Sequence, residues 1–251
     1  MSFPYTIHFG NVRLPLHALT EPIALFTGFR YFLHLRKRNG DPIGQTNRTS
    51  ILIAAIFGAL FGSRLVGGLE NPPAMLHAKH ILLYFYENKT VLGGFLGGLL
   101  AVELMKRYIG EQQASGDLFV YPILLALIIG RLGCFSMGVY EETYGTPTSL
   151  PWGMDLGDGL RRHPVALYEI MFLILLWVTL KKADPLLTLE QGARFKIFLI
   201  AYCVFRLLLD FIKPHYTFPF GLSTIQLVSM AGLIYYYPPI IRYARKTLHL
   251  L

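Results

Sequence analysis

The sequence contains little charge. Asp, Glu, Lys and Arg make up only 15% of the 251 residues, whereas 53% are hydrophobic. This balance is unusual for a soluble domain and indicates a membrane protein. Acidic residues are the scarcer kind, 15 against 23 Lys and Arg, which gives a net charge of +8. No nucleic-acid-binding motif or basic stripe accompanies that excess. We therefore predict that the basic residues contact anionic lipid headgroups and that nucleic acid is not a partner.

Cysteine is also rare, with Cys134 and Cys203 the two copies in the sequence. Two cysteines inside apolar stretches exclude a disulfide framework, and no metal-ligand spacing is present. We interpret each as a small buried hydrophobic residue and predict neither a metal nor a cofactor. The N-terminus has neither a basic region nor a small-residue cleavage site, so we expect no cleaved signal peptide.

Apolar segments near the length of a membrane-spanning helix recur along the chain. A bilayer core about 30 Å thick needs roughly 20 helical residues. The pattern predicts an all-α integral membrane protein with about seven transmembrane helices, forming one bundle domain over residues 1–251. The predicted helices run approximately over 17–35, 49–69, 90–105, 118–138, 164–180, 194–212 and 220–241.

Loop charges predict the orientation of this bundle. Lys and Arg concentrate after the first, third, fifth and seventh predicted helices. By the positive-inside rule those segments are cytoplasmic, so the N-terminus lies outside and the C-terminus inside. The segment 139–163 is then external. It is rich in Gly, Pro, Asp and Thr, and a loop of this length is either functional or a solvated connector.

Two predicted helices carry closely spaced glycines. "GALFG" begins at Gly58 and ends at Gly62, and "GGFLGG" runs from Gly93 to Gly98. Glycines four residues apart lie on one helix face and let two helices approach closely in lipid. We therefore expect close helix packing at these motifs.

Several charged residues fall inside the predicted spans. A charge at mid-membrane costs at least about 2.5–3.5 kcal/mol, so such residues usually face the bundle interior or a wet cavity. Arg206 and Asp210 share a helix face with Tyr202 and are able to pair. We expect Arg64 and Arg131 to lack acidic partners, since only Glu103 and Glu169 remain, and this predicts a bound anion such as a lipid phosphate. If its helix ends early, Arg131 instead reaches the membrane surface.

The fifth predicted helix opens with "RRHPVALYE", which contains His163, Tyr168 and Glu169. Pro164 suits a first helical turn, and His163 lies at the expected water interface. A histidine there is either a headgroup contact or a catalyst. The sequence contains no nucleophile elbow, no metalloprotease motif and no phosphate loop.

Taken together, "GRLGCFSMG", "YGTPTSLPWG", "RHPVALYE", "YCVFRLLLDFIK" and "STIQ" resemble the bacterial prolipoprotein diacylglyceryl transferase family. The resemblance covers roughly residues 50–240, in the same order. It implies a multi-pass enzyme of the bacterial plasma (inner) membrane that uses no cofactor. Such enzymes transfer the diacylglyceryl group of phosphatidylglycerol to the lipobox cysteine thiol of a preprolipoprotein and release glycerol 1-phosphate.

The resemblance also implies roles for individual residues. Glu142 and Gly145 fit the family's E-x-x-G-x-P-T segment if three extra residues follow Gly138. The residues predicted to be catalytic are Arg131, Arg206, Glu142, His163, Glu169 and Tyr202. The residues predicted to bind phosphatidylglycerol are Arg131, Arg206, Arg64, Gly145 and Gln226.

The sequence departs from the family pattern at several polar positions. Leu92 stands where the family has a histidine before paired glycines, and Cys134 and Met137 replace two asparagines. Because a candidate base is missing, His163, Glu142 or Glu169 would have to take its place. Three alternatives remain open: another acceptor for the same lipid group, a non-catalytic phospholipid-binding protein, and a transporter that uses Glu103 and Asp210.

Overall fold

The computed structural model describes residues 3–9, 12–187 and 191–238, and this part of the chain is mostly helical. Seven longer helices lie at the positions of the seven predicted segments. Short 3-10 turns occupy Asp117–Phe119, Gly138–Tyr140 and Asp210–Ile212. The α-helices of the described residues are α1 (Leu16–Asn39), α2 (Gln45–Gly68), α3 (Pro72–Leu76), α4 (Ile81–Glu87), α5 (Val91–Ile109), α6 (Val120–Met137), α7 (Val165–Leu187), α8 (Ala193–Leu209) and α9 (Thr224–Tyr235).

The helix ends differ from the predicted ones by a few residues. Helix α1 continues to Asn39 and α7 to Leu187, because charged residues after an apolar stretch are compatible with helix. Helices α3 and α4 were not predicted. Helix α3 starts where the Asn71 side chain accepts a hydrogen bond from the Ala74 amide, with proline at the first helical position. Residues 239–241, the end of the last predicted helix, lie outside the described residues.

Two short β-hairpins correct the all-α prediction. Strand β1 (Thr6–Phe9) pairs antiparallel with β2 (Val12–Pro15) directly before α1. Strand β3 (Met154–Asp155) pairs antiparallel with β4 (Arg161–Arg162) inside the predicted external loop. Strands this short carry too few alternating residues for a pattern to indicate them.

The chain divides into two compact units. The first comprises Met1–Asp41, Gly116–Phe195 and Phe211–Pro214. The second comprises Pro42–Ser115, Lys196–Asp210 and His215–Leu251. A single bundle domain over residues 1–251 stays a prediction.

In the first unit, α6 packs against both α1 and α7. Small residues allow the α1–α6 approach, because a Cβ at Gly28 would lie 3.1 Å from the Pro122 carbonyl oxygen. Next to this contact, the rings of Phe32 and Phe119 stack with centroids 4.3 Å apart. Helix α6 is thereby fixed between two neighbours, and its later residues lie beside the first turns of α1 and α7.

In the second unit, glycines set the packing of α2 against α5. An added Cβ at Gly62 would meet the Gly93 carbonyl oxygen, and one at Gly97 would meet the Gly58 carbonyl oxygen. The backbones therefore touch where the sequence has its four-residue glycine spacing. The expectation of close packing at these motifs is confirmed.

Two helical stretches of the described chain, Gln45–Gly68 and Asp117–Tyr140, are both long and apolar enough to cross a bilayer. Large apolar side chains also lie exposed on the helices. Examples are Leu25 and Phe26 on α1 and Phe57 and Phe61 on α2, each about two-thirds exposed or more. Extended apolar surface of this kind marks contact with lipid or with another apolar partner.

Candidate active site

Arg131 is buried in the first unit and forms an ion pair with Glu169. The Arg131 Nε atom lies 2.8 Å from Glu169 Oε2, and the glutamate side chain is 1% exposed. Arg131 belongs to α6 and Glu169 to the second turn of α7, and these two helices pack together. The expectation that Arg131 has no acidic partner is therefore wrong. The sequence could not show this, because the pairing depends on which helices are neighbours.

Helix α6 continues past Arg131 to Met137. Arg131 itself is 9% exposed. The alternative in which the helix ends early and the guanidinium reaches out to the surface is thus wrong. Arg131 is held inside the unit, where a fixed charge interacts more strongly with a ligand than it does in water.

Four side chains that were not predicted as site residues form a connected group next to Arg131, which contacts the first of them, Cys134. Cys134 Sγ is 3.5 Å from Arg131 Nη1 and 3.9 Å from Glu141 Oε1. On the other side, His17 Nε2 lies 3.5 Å from Glu141 Oε2 and 3.7 Å from Glu21 Oε2. Histidine and glutamate near the start of α1 and after α6 have no common sequence motif, so only the fold brings them together.

Glu142 and Gly145 occupy different surroundings from Glu141. The Glu142 side chain is exposed. Gly145 is buried and its amide donates to the His163 carbonyl oxygen over 3.0 Å. An added Cβ at Gly145 would lie 2.5 Å from the His163 Cβ, so glycine is required for this close approach. Packing therefore explains Gly145, and its binding role stays a prediction.

His163 takes part in an aromatic hydrogen-bond network. Its Nδ1 lies 3.1 Å from the Tyr168 hydroxyl, which also accepts a hydrogen bond of 2.9 Å from Trp152 Nε1. Tyr168 lies on the first turn of α7, one residue before Glu169. The network therefore holds the His163 imidazole against Tyr168, the residue that precedes Glu169, the ion-pair partner of Arg131.

The β3–β4 hairpin orders the middle of the segment 139–163. Asp155 Oδ1 accepts hydrogen bonds from the Gly157 and Gly159 amides, both at positive φ. Arg162 Nε donates to Asp158 Oδ2 over 2.7 Å, and this hydrogen bond lowers the pKa of the Asp158 carboxyl. The turn chemistry thus holds the segment in a defined conformation, in contrast to a freely solvated connector.

In the second unit, Arg64 contacts Tyr86. Its guanidinium donates to the Tyr86 carbonyl oxygen and lies 4.7 Å from the centre of the Tyr86 ring. The expectation that Arg64 needs an anion is therefore weakened, since a carbonyl and an aromatic face supply part of its environment.

The predicted group on α8 is buried in the same unit. Tyr202 is fully buried, with its ring centroid 5.1 Å from that of Phe95, and Arg206 is 7% exposed. Asp210 accepts a hydrogen bond from Ser223 Oγ and lies 3.6 Å from His215 Nδ1. The described contacts of Asp210 thus include a hydroxyl and an imidazole that the helix-face argument did not anticipate.

Gln226 forms a capping box at the start of α9. Its Oε1 accepts from the Ser223 amide over 2.9 Å, and Ser223 Oγ accepts from the Gln226 amide over 3.0 Å. These bonds fix the Gln226 side-chain amide with its Oε1 towards the N-terminus of α9. Its Nε2 is buried and has no hydrogen-bond partner among the described residues. A ligand oxygen would satisfy this donor.

A mostly helical chain with two helices able to cross a bilayer and large exposed apolar side chains has the features of an integral membrane protein. The family model for prolipoprotein diacylglyceryl transferase matches residues 4–239. The chain therefore belongs to that family of membrane enzymes.

Individual relatives agree with the family match. The chain is 30% identical over 239 residues to the phosphatidylglycerol–prolipoprotein diacylglyceryl transferase of Cupriavidus metallidurans. The alignment covers 89% of this chain and 85% of the relative. The Bordetella parapertussis protein of the same name is 32% identical over 229 residues, with 84% and 82% covered. That of Wolbachia pipientis is 30% identical over 245 residues, with 92% and 91% covered.

Proposed function

We propose that this protein transfers the diacylglyceryl group of phosphatidylglycerol to the lipobox cysteine thiol of preprolipoproteins and releases glycerol 1-phosphate. The observation that carries the proposal is the buried Arg131–Glu169 pair, found in a chain whose relatives bear the name of this reaction. The setting is a multi-pass protein of the bacterial inner membrane. Helices α1, α2 and α5–α9 are its seven spans, the N-terminus is outside and the C-terminus is cytoplasmic.

Arg131 binds the lipid phosphate in this proposal. Its Nε lies 2.8 Å from Glu169 Oε2, so a buried ion pair holds the guanidinium beside that carboxylate. Negative charge grows on the phosphate oxygens when the glycerol C–O bond breaks, and a prepositioned guanidinium stabilises that charge without reorganisation. Glu169 is then a positioning residue for Arg131, since a carboxylate engaged in a buried ion pair is a poor proton acceptor.

The acceptor thiol must lose its proton before it attacks the glycerol carbon. Leu92, in the position of the family histidine, is fully buried and offers no proton acceptor. We assign the base role to His163, because Tyr168 and Trp152 fix its imidazole beside the first turn of α7. Glu142, the other predicted base, is exposed and has the weaker case.

Arg206 and Gln226 of the second unit are the other proposed phosphatidylglycerol ligands. Arg206 carries a fixed positive charge, and Gln226 holds a buried amide donor without a partner among the described residues. Tyr202, fully buried one helical turn before Arg206, contributes to the chemistry in this proposal. Arg64 and Gly145 contribute less to phosphatidylglycerol binding in this proposal, because their described contacts are with other residues of the protein.

The proposal is tested by incubating the purified protein in detergent containing phosphatidylglycerol and a lipobox peptide. We expect release of glycerol phosphate together with a diacylglyceryl mass gain on the peptide cysteine. A peptide with serine in place of that cysteine is the control and should stay unmodified. Release of glycerol phosphate without a mass gain on the peptide would indicate another acceptor. Binding of phosphatidylglycerol without release of glycerol phosphate would indicate a phospholipid-binding protein.

Gln226→Glu tests the proposed phosphate contact. Glutamate keeps an acceptor for the Ser223 amide and is itself a preferred capping-box residue, but it removes the Nε2 donor and adds negative charge. We expect the KM for phosphatidylglycerol to rise by about 10- to 100-fold, as for a lost hydrogen bond to a charged group. Gln226→Met, which removes donor and acceptor without adding charge, is the companion variant. An unchanged KM in both variants would contradict a role for Gln226 in binding phosphatidylglycerol.

A further inference from the structure

Three side chains with metal-binding atoms converge beside Arg131 in the first unit. His17 comes from the first turn of α1, Cys134 from the last turn of α6, and Glu141 from the residue after the following 3-10 turn. One ligand atom from each, a nitrogen, a sulfur and an oxygen, lie within 4.8 Å of one another. The residues are scattered in sequence, so no motif spacing indicated the cluster.

Two of the donor–donor distances are close to the spacing of donors around one small ion, and all three donors lie within 4.8 Å of one another. His17 Nε2 and Glu141 Oε2 are 3.5 Å apart, and Cys134 Sγ and Glu141 Oε1 are 3.9 Å apart. Zinc bonds of about 2.0–2.3 Å at tetrahedral angles place neighbouring donors about 3.3–3.6 Å apart. Small side-chain rotations would therefore bring all three donors into contact with one ion.

The charges at the cluster also favour a cation. Glu21 and Glu141 both lie within 3.7 Å of His17 Nε2, and Glu169 lies against Arg131. Two carboxylates, those of Glu21 and Glu141, thus lie against one imidazole nitrogen, where their negative charge attracts a cation. A divalent ion there would also bind Cys134 as the thiolate, since a coordinated thiol is deprotonated.

We propose that His17, Cys134 and Glu141 form a binding site for a divalent transition-metal ion. A donor set of imidazole, thiolate and carboxylate suits zinc, which accepts four ligands of mixed type. Glu21 Oε2 lies 3.7 Å from the same imidazole nitrogen and is close enough to replace a solvent ligand. Three protein ligands leave one tetrahedral position for an exogenous group.

The open position has a use in the reaction, and this part of the inference rests on the proposed function. The lipobox thiol, if it bound at this position, would lose its proton to a base, for which we assign His163. The resulting thiolate attacks the glycerol carbon next to the phosphate. The new C–S bond replaces the C–O bond, whose electron pair leaves on glycerol 1-phosphate. A metal ion near Arg131 would thus present the acceptor thiolate beside the phosphate ligand.

The test uses the full-length protein in detergent, stripped with a chelator and titrated with Co²⁺ as a spectroscopic probe. We expect one equivalent to bind, with the visible absorption of four-coordinate cobalt and a thiolate-to-cobalt charge-transfer band that Zn²⁺ abolishes. Cys134→Ser should lose the band, and His17→Ala and Glu141→Gln should each weaken Co²⁺ binding by more than the roughly 10- to 100-fold loss that removing an outer-shell partner causes. Cys203→Ser is the control, because it alters the other cysteine, which lies in the second unit, and it should retain the charge-transfer band.

Absence of the band in the wild-type protein, or its persistence in Cys134→Ser, would overturn the proposal. The wild-type titration requires no variant to fold, and elution as a single species verifies each variant. Because no lipid or peptide is present, the result is independent of catalysis. A bound ion in a protein that releases no glycerol phosphate would retain the metal site and contradict the proposed transfer.

Discussion

Arg131→Ala should lower the rate of glycerol phosphate release by about 100- to 1,000-fold, the loss typical of removing one preorganised donor from an anion site. The reason is that the Arg131 guanidinium is held in place by Glu169 at 2.8 Å inside the first unit. Arg131→Lys keeps the charge but loses the planar fork, so we expect it to restore part of the rate. Initial rates at saturating phosphatidylglycerol measure the effect on the chemical step.

Protein stability must be separated from chemistry in this experiment. Removing Arg131 alone leaves the buried Glu169 carboxylate without its ion-pair partner, which costs about 3–5 kcal/mol. The double variant Arg131→Met, Glu169→Leu removes both charges, so it should be more stable than Arg131→Ala and equally inactive. An active double variant would contradict the assignment of Arg131 as the phosphate ligand.

A second ion pair in the same unit supplies a matched control. Arg194 Nε and Nη2 each lie 2.8 Å from Asp184 Oδ1, and neither residue is a predicted site residue. Arg194→Ala should lower stability and leave the rate per folded molecule near that of the wild type. Comparison with Arg131→Ala then isolates the part of the loss that belongs to the site.

Gly97→Ala should destabilise the second unit by about 1–3 kcal/mol, the usual cost of an extra group in a filled contact. The new Cβ would meet the Gly58 carbonyl oxygen and lie 2.8 Å from the Gly62 Cα. All of these are backbone atoms, which cannot rotate away, so helices α2 and α5 must move apart. We expect the Tm in detergent to fall by roughly 2–10 °C.

The adjacent glycine is the control for this substitution. A Cβ at Gly98 would lie 3.5 Å from the Ala55 carbonyl oxygen and from the Ala59 Cβ, which is ordinary van der Waals contact. Gly98→Ala should therefore leave Tm unchanged or raise it, since alanine is the better helix former by about 1 kcal/mol. Equal Tm values for the two variants would show that the close backbone approach does not limit packing.

The helices were largely predictable because their signal is local. Seven apolar stretches gave seven helices at nearly the right positions, and the four-residue glycine spacing indicated the contact between α2 and α5. The misses have local causes too. Helices α3 and α4 are short, and the two hairpins contain two to four residues per strand, so neither shows enough periods of a repeating pattern.

The candidate site was predictable only in part. Arg131 and Glu169 were singled out as charged residues in apolar helices and Gln226 through the family resemblance, and the structure shows all three buried. Their partners were not predictable, because Arg131 was expected to lack an acid and Gln226 was not recognised as a capping residue. His17 and Glu141 carried no signal, since a single histidine or glutamate near a helix end is common in any protein.

The sequence alone determined the class of this protein, because hydropathy, glycine spacing and an ordered series of motifs are properties of consecutive residues. The tertiary structure alone decided which charges meet. Helix α6 lies between α1 and α7, and this arrangement brings Arg131 to Glu169 and Cys134 to Glu141, which in turn contacts His17. Such contacts depend on the packing of whole helices, and no local pattern in the chain records them.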